Sequence, residues 1–204
     1  MATGRVAESR AEPGFLFSRI ASRRRLLGAG AGALALAALG CAPRFNWREV
    51  RPAQARCVIA LPDKPQSAER ELDLAGDKVA MRMTSTGVGP TLFALGVADL
   101  PPAALVPERL EATLAWFRDG LLRNVQGTLT ASRPLTLAAP PGRTVRIAQA
   151  VSAQGRIGNG RKAVLAARFY VVDDRFYQVV ALGAEGELPA EALDTFFDSF
   201  RLTE

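Results

Sequence analysis

The order of the apolar segments along the chain is the feature that most constrains its fold. The strand-like runs are Arg56–Leu61, Glu71–Leu74, a run holding Val79, Met81 and Met83, Thr91–Val97, 128–133, 143–152, 161–172 and 175–182. Two segments with helical spacing begin at Pro107 and Pro189. Because the strands come in groups and do not alternate with helices, they favour an antiparallel sheet. The prediction is an α+β domain, an antiparallel sheet of about six to eight strands covered by two helices.

Both predicted helices show an apolar stripe at helical spacing. In the first, the stripe is Leu110, Leu114, Phe117 and Leu121, and in the second it is Leu193, Phe196, Phe197 and Phe200. We expect at least two of the three phenylalanines to be buried against the sheet. Asp173-Asp174 lies between the last two strand-like runs, so these runs should pair as a long hairpin.

The N-terminal segment has the features of an export signal. Ser22-Arg23-Arg24-Arg25-Leu26-Leu27 resembles the twin-arginine motif, in which Arg23 and Arg24 are the pair that the translocase reads. A Gly- and Ala-rich apolar run follows, too short to span a bilayer, which takes about 20 residues. It is typical of the apolar core of a signal peptide.

The apolar run ends at Leu36-Ala37-Ala38-Leu39-Gly40-Cys41, which resembles a bacterial lipobox. The resemblance implies cleavage before Cys41 and diacylation of this residue, which anchors the mature chain in a membrane on the periplasmic side. The absence of Asp after the cysteine favours the outer membrane over the inner one. We therefore divide the chain into a signal peptide (1–40), a lipidated N-terminus and tether (41–55) and a single domain (56–204).

The predicted domain resembles the PsbP-like α/β sandwiches. The resemblance depends on the early strand that ends at Pro62, on the late hairpin with Arg168-Phe169-Tyr170 and Arg175-Phe176-Tyr177, and on the ending Phe196-Phe197-Asp198-Ser199-Phe200-Arg201-Leu202. It implies a sandwich fold and, since members of this family are mostly non-enzymatic, a role in binding or assembly. The resemblance identifies no binding residue in this chain.

Histidine is absent, and this excludes several chemistries. A Ser-His or Cys-His nucleophile pair and an imidazole acid or base are impossible without it. If Cys41 is lipidated, Cys57 has no cysteine partner within the chain. Gly155–Ala163 lacks the Gly-Lys-Ser/Thr ending of a phosphate loop. The pair of Met81 and Met83 is more typical of a half-buried strand than of a Cu(I) site. We expect no enzyme activity, cofactor or metal.

The distribution of charge indicates one candidate surface. The chain has 26 basic and 20 acidic residues, but six of the arginines lie in the predicted signal peptide, so the excess does not indicate nucleic-acid binding. Residues 120–175 hold nine basic and two acidic residues, and residues 176–204 hold one basic and six acidic. Strand alternation, with Val145 and Ile147 facing inward, predicts that Arg146, Lys162, Arg168 and Tyr170 share one solvent-facing side of the sheet. The alternative is that the acidic closing helix neutralises this charge.

The sequence favours a membrane-anchored binding or assembly protein whose partner is an acidic envelope protein or anionic lipid. A small-ligand or anionic-lipid-binding domain is the alternative, and an enzyme that uses Asp, Glu, Ser or Lys is the third. A pocket with convergent polar groups would favour the small-ligand alternative, whereas a flat basic face would favour the binding module.

Overall fold

The computed structural model describes residues 44–158 and 160–204. The expectations for Arg23, Arg24 and Cys41 concern residues outside these ranges. The strands are β1 (Arg48–Val50), β2 (Cys57–Leu61), β3 (Gln66–Leu74), β4 (Asp77–Val88), β5 (Thr91–Asp99), β6 (Thr128–Pro134), β7 (Val145–Ile157), β8 (Arg161–Val172), β9 (Arg175–Ala184) and β10 (Arg201–Leu202). The helices are α1 (Pro107–Asn124) and α2 (Ala190–Asp198), with a short 3-10 helix at Pro102–Ala104.

A seven-stranded antiparallel sheet in the order β3-β4-β5-β9-β8-β7-β6 forms the centre of the domain. This confirms the predicted α+β class, with an antiparallel sheet and two helices. The strand-like runs at 161–172 and 175–182 correspond to β8 and β9, which pair across the turn at Asp173-Asp174 as expected. A smaller sheet in the order β1-β2-β10 was not predicted, because runs of two or three residues show no periodicity.

Helix α1 covers one face of the large sheet, which we call the α1 face. Pro107 occupies its first turn, where the missing N–H costs no hydrogen bond, and Glu108 and Arg123 complement the helix dipole at its two ends. Leu114 and Phe117 are buried, and the Phe117 ring stacks on that of Phe176 with centroids 3.9 Å apart. Met81 and Met83 lie on this face among apolar neighbours, as alternation predicted.

The small sheet and α2 cover the opposite face, which we call the α2 face. Ile59 and Leu61 of β2 pack there with Phe93 and Leu95 of β5, and all four are fully buried. The three C-terminal phenylalanines are also buried, which confirms that this segment packs on the sheet: Phe196, Phe197 and Phe200. The large sheet therefore has a covered surface on both sides.

The N-terminal segment belongs to the fold, so the expected tether is wrong for residues 44–55. The ring centroids of Phe45 and Trp47 lie 5.8 and 5.6 Å from that of Phe93, and β1 pairs with β2. Arg44 forms a 3.0 Å salt bridge with Glu187. Two aromatic residues at alternate positions give too weak a sequence signal to show this packing. Residues 44–55 therefore belong to the folded domain, which was predicted to begin at 56.

Candidate functional site

Tyr170 does not lie on a solvent-facing side of the sheet, and that part of the prediction is wrong. Its side chain points to the α2 face, as alternation required, but the residue is only 2% exposed. Its ring stacks on that of Phe200 with centroids 4.9 Å apart and 5° between the planes. Burial raises the pKa of its hydroxyl. The prediction failed because it assumed that one face of the sheet was open, whereas α2 covers it.

Arg168 is held by the end of α2. Its guanidinium lies 4.7 Å from the ring centroid of Phe197 and donates hydrogen bonds of 3.3 Å to the Phe197 carbonyl and to Asp198 Oδ1. The acidic closing helix therefore neutralises this cation, which is the alternative that charge counting left open.

Arg146 and Lys162 lie at opposite ends of the sheet. Arg146 occupies a register shift in β7, where Val145 packs on the α2 face and Ile147 on the α1 face, so these two residues do not point the same way. Arg146 Nε donates a 2.7 Å hydrogen bond to the carbonyl of Asp173. Val172, which pairs with Val145 next to Arg146, is ten positions from Lys162 along β8, a distance of about 33 Å. The four predicted residues do not form one surface.

Three basic residues lie together at the tip of the β7–β8 hairpin. Arg156 faces Lys162 across the ladder and Arg161 faces Ile157. All three cations are exposed, and none forms a salt bridge with another described residue. We call Arg156, Arg161 and Lys162 the basic tip. It is the candidate functional site.

The tip of this hairpin is fixed by a close approach to the end of α1. Arg156 N donates a 2.6 Å hydrogen bond to the carbonyl of Val125. A Cβ on Gly155 would lie 2.4 Å from that same oxygen, so only glycine allows this contact. Gly158 and Gly160 have positive φ values of 56° and 88°, and Arg156 Nη1 donates a 2.8 Å hydrogen bond to the carbonyl of Gly160. The glycines of this segment therefore shape a basic turn and not a phosphate loop.

The basic tip lies at the same end of the sheet as Arg44. The backbone N–H of Glu185 donates a 3.0 Å hydrogen bond to the carbonyl of Lys162, and Glu187, two residues further on, binds Arg44. The strand β9 ends beside the start of β8 here, because the ladder pairs Ala163 with Ala184. The sequence did not indicate this neighbourhood, since Arg44 and Glu187 are 143 positions apart.

The opposite end of the sheet holds an ion-pair network that sequence reasoning missed. Arg175 Nε and Arg82 Nη2 donate hydrogen bonds of 2.7 and 2.9 Å to the two carboxylate oxygens of Asp99. Partial burial raises the pKa of Asp99, but the hydrogen bonds from Arg175 and Arg82 outweigh it and hold the pKa below its ordinary value. Arg175 also binds the carbonyl of Gln54, a residue with a φ of 59°. The network fastens the segment before β2 to the sheet.

Cys57 and the surface hollows do not form a reactive centre. The thiol of Cys57 is buried, and burial raises its pKa to about 12, so it is protonated at neutral pH and a poor nucleophile. A groove of about 300 Å³ beside Arg133, Arg146 and Gln149 is open to solvent, unlike pockets that enclose a small ligand. Within residues 44–158 and 160–204, no group of three or more Cys, Asp or Glu side chains is arranged to bind a metal ion.

In the described part of the chain, no helix combines the length and the apolar character that a membrane span needs. The sequence matches no protein-family model, and no curated protein matches it. A solved structure from Pseudomonas aeruginosa, a protein of unknown function described as a candidate regulator, aligns over 70% of this chain and 86% of its own at 12% identity with a TM-score of 0.35. A similarity this low supports no argument about fold or function.

Proposed function

We propose that the protein is a lipid-anchored cell-envelope protein on the periplasmic side, most simply of the outer membrane, and that its domain is a non-enzymatic binding or assembly module. The lipobox-like ending at Gly40-Cys41 supports the anchor. The layered α+β domain is compatible with the PsbP-like sandwich that the sequence resembles.

The observation that carries the proposal is the short connection between Cys41 and the folded domain. Only Ala42 and Pro43 separate Cys41 from Arg44, which is already part of the fold. Three chain steps reach at most about 11 Å. With two acyl chains on Cys41, the domain would stay beside the membrane surface, where it could contact the lipids or another envelope protein.

The chemistry of the domain favours binding over catalysis. The sequence has no histidine, and Cys57 is held as a buried thiol. The cations Arg168 and Arg175 are engaged with Asp198 and Asp99 in contacts that fasten structural elements together. The exposed cations of the basic tip form no such salt bridge among the described residues, and we take them as the candidate contact.

The anchor is tested by metabolic labelling with radioactive palmitate. Cys41→Ser should leave an uncleaved and unlabelled precursor, because the modified thiol is missing. Cys57→Ser is the matched control and should mature and incorporate label normally, since Cys57 is buried in the domain. A Cys41→Ser protein that still matures and carries label would overturn the proposal.

A further inference from the structure

We propose that the basic tip, formed by Arg156, Arg161 and Lys162, contacts the anionic headgroups of the membrane in which Cys41 is anchored. This inference rests on the proposed lipid anchor and adds an orientation: the β7–β8 end of the sheet faces the bilayer and the β8–β9 turn points away.

The first support is the position of the anchor. The chain leaves the described fold at Arg44, which binds Glu187, and Glu185 binds the backbone of Lys162. Arg44 thus lies at the same end of the sheet as the basic tip. Since Cys41 lies at most about 11 Å further along the chain, the lipid is attached at this end of the domain. The Debye length is about 10 Å at 0.1 M salt, so charges at this end can interact with charged headgroups.

The second support is the charge of this end. At the tip of the hairpin, residues 155–163 contain Arg156, Arg161 and Lys162 and no acidic residue. Acidic residues near this end include Glu185, Glu187 and, in the first turn of α2, Glu191, and Glu187 is neutralised by Arg44.

The cations of the basic tip have no carboxylate partner among the described residues, whereas Arg143, Arg168 and Arg175 each have one. Each basic side chain near an anionic membrane surface contributes about 1 kcal/mol to the free energy of membrane binding, which corresponds to about a fivefold increase in affinity.

The third support is the charge at the far end. The two turns there carry Asp73, Asp77, Asp173 and Asp174 beside Lys78, and the cations next to Asp173 are engaged with it: Arg143 with its carboxylate and Arg146 with its carbonyl. Lys78 and Val88 are ten residues apart on β4, about 33 Å, so this end lies beyond the reach of the surface potential when the basic tip touches the bilayer.

The lysines of the chain allow a direct test, because only Lys64, Lys78 and Lys162 are present. The mature lipidated protein, purified from membranes, is added to preformed vesicles of phosphatidylcholine alone or with phosphatidylglycerol, and the vesicles are floated. An uncharged N-hydroxysuccinimidyl ester then acylates the amines, and mass spectrometry gives the rate at each lysine.

A surface potential of about −30 mV lowers the local pH by half a unit and reduces the reactive amine about threefold. We expect the rate at Lys162 to fall about threefold on phosphatidylglycerol vesicles in 0.1 M salt and to recover in 1 M salt, where the Debye length is about 3 Å. The rate at Lys78, at the far end, should not change.

Charge reversal provides matched variants that leave the reporter lysine in place. Arg156→Glu with Arg161→Glu should abolish the protection of Lys162. Arg70→Glu with Arg109→Glu makes the same charge change on exposed residues away from the basic tip and should keep it.

Equal rates at Lys162 on the two kinds of vesicle would overturn the headgroup contact, as would equal protection of Lys162 and Lys78. A protein that does not float with neutral vesicles would instead overturn the lipid anchor, so the two proposals fail separately.

Discussion

Phe200 offers the sharpest test of how the C-terminal segment is fastened to the sheet. It follows α2 and is 6% exposed. Its ring centroid lies 4.9 Å from that of Tyr170, in a stacked pair, and 5.5 Å from that of Tyr177, edge to face. Removing the ring in Phe200→Ala deletes both contacts and leaves a cavity, because the strands β8 and β9 below it cannot collapse.

A buried phenylalanine replaced by alanine costs about 3–5 kcal/mol. This is a large part of the total stability of a domain, about 5–15 kcal/mol. For a domain of this length, 1 kcal/mol lowers the melting temperature by about 2–4 °C, so the expected fall is about 6–20 °C. Far-ultraviolet circular dichroism during thermal and urea unfolding measures both quantities.

Leu129→Ala is the matched control, since Leu129 is 38% exposed on the edge strand β6. It should change the stability by no more than about 0.5 kcal/mol. A Phe200→Ala protein that melts within the range of the Leu129→Ala control would show that Phe200 is not part of the core. A double-mutant cycle with Tyr170→Ala isolates the ring pair and should give a coupling of about 0.5–1.5 kcal/mol.

Two further predictions concern export and acid stability. Replacing Arg23, Arg24 and Arg25 together with lysine should leave folded precursor in the cytoplasm in a fractionation assay; normal export of this variant would point to the general secretory route. The fold lowers the pKa of Asp99, so the ionised carboxylate stabilises the folded protein at pH values above the pKa that Asp99 has in the unfolded chain. This stabilisation is lost as the pH falls through the pKa of Asp99 in the folded protein. The melting temperature should therefore decrease below about pH 4, and Asp99→Asn should weaken this dependence. An identical acid profile in the variant would show that the contacts with Arg175 and Arg82 do not stabilise the fold.

The strand and helix pattern was readable from the sequence because each long element has its own periodicity. The runs at 161–172 and 175–182 have alternating side chains and a two-residue turn, and they became β8 and β9 almost to the residue. Helix α1 begins at Pro107 as expected and ends at Asn124. Gln126 adopts the positive φ of 47° that reverses the chain there.

The small sheet could not be predicted from the sequence, because its short strands form only by pairing with segments elsewhere in the chain. β10 has two residues and pairs with β2, which lies about 140 positions earlier in the chain. No local pattern reports such a contact. The same holds for Phe45 and Trp47, whose packing on Phe93 turned an expected tether into part of the core.

The surface predicted from Arg146, Lys162, Arg168 and Tyr170 shows most clearly what a local sequence pattern cannot predict. Alternation correctly placed Arg168 and Tyr170 on the same side of β8, since that periodicity is a property of the extended backbone. Whether that side meets water depends on what packs over it, and α2 covers it: Tyr170 is buried and Arg168 is neutralised by Asp198.

The sequence by itself determined the α+β class, the position of the β8–β9 hairpin and the burial of the C-terminal phenylalanines, because these follow from periodicity and turn residues. Only the tertiary structure decided which cations remain unpaired and that Arg156, Arg161 and Lys162 stand at the same end of the sheet as Arg44. The physical reason is that salt bridges and covered faces are made by residues far apart in the chain, and their partners are chosen by the packing of the layers.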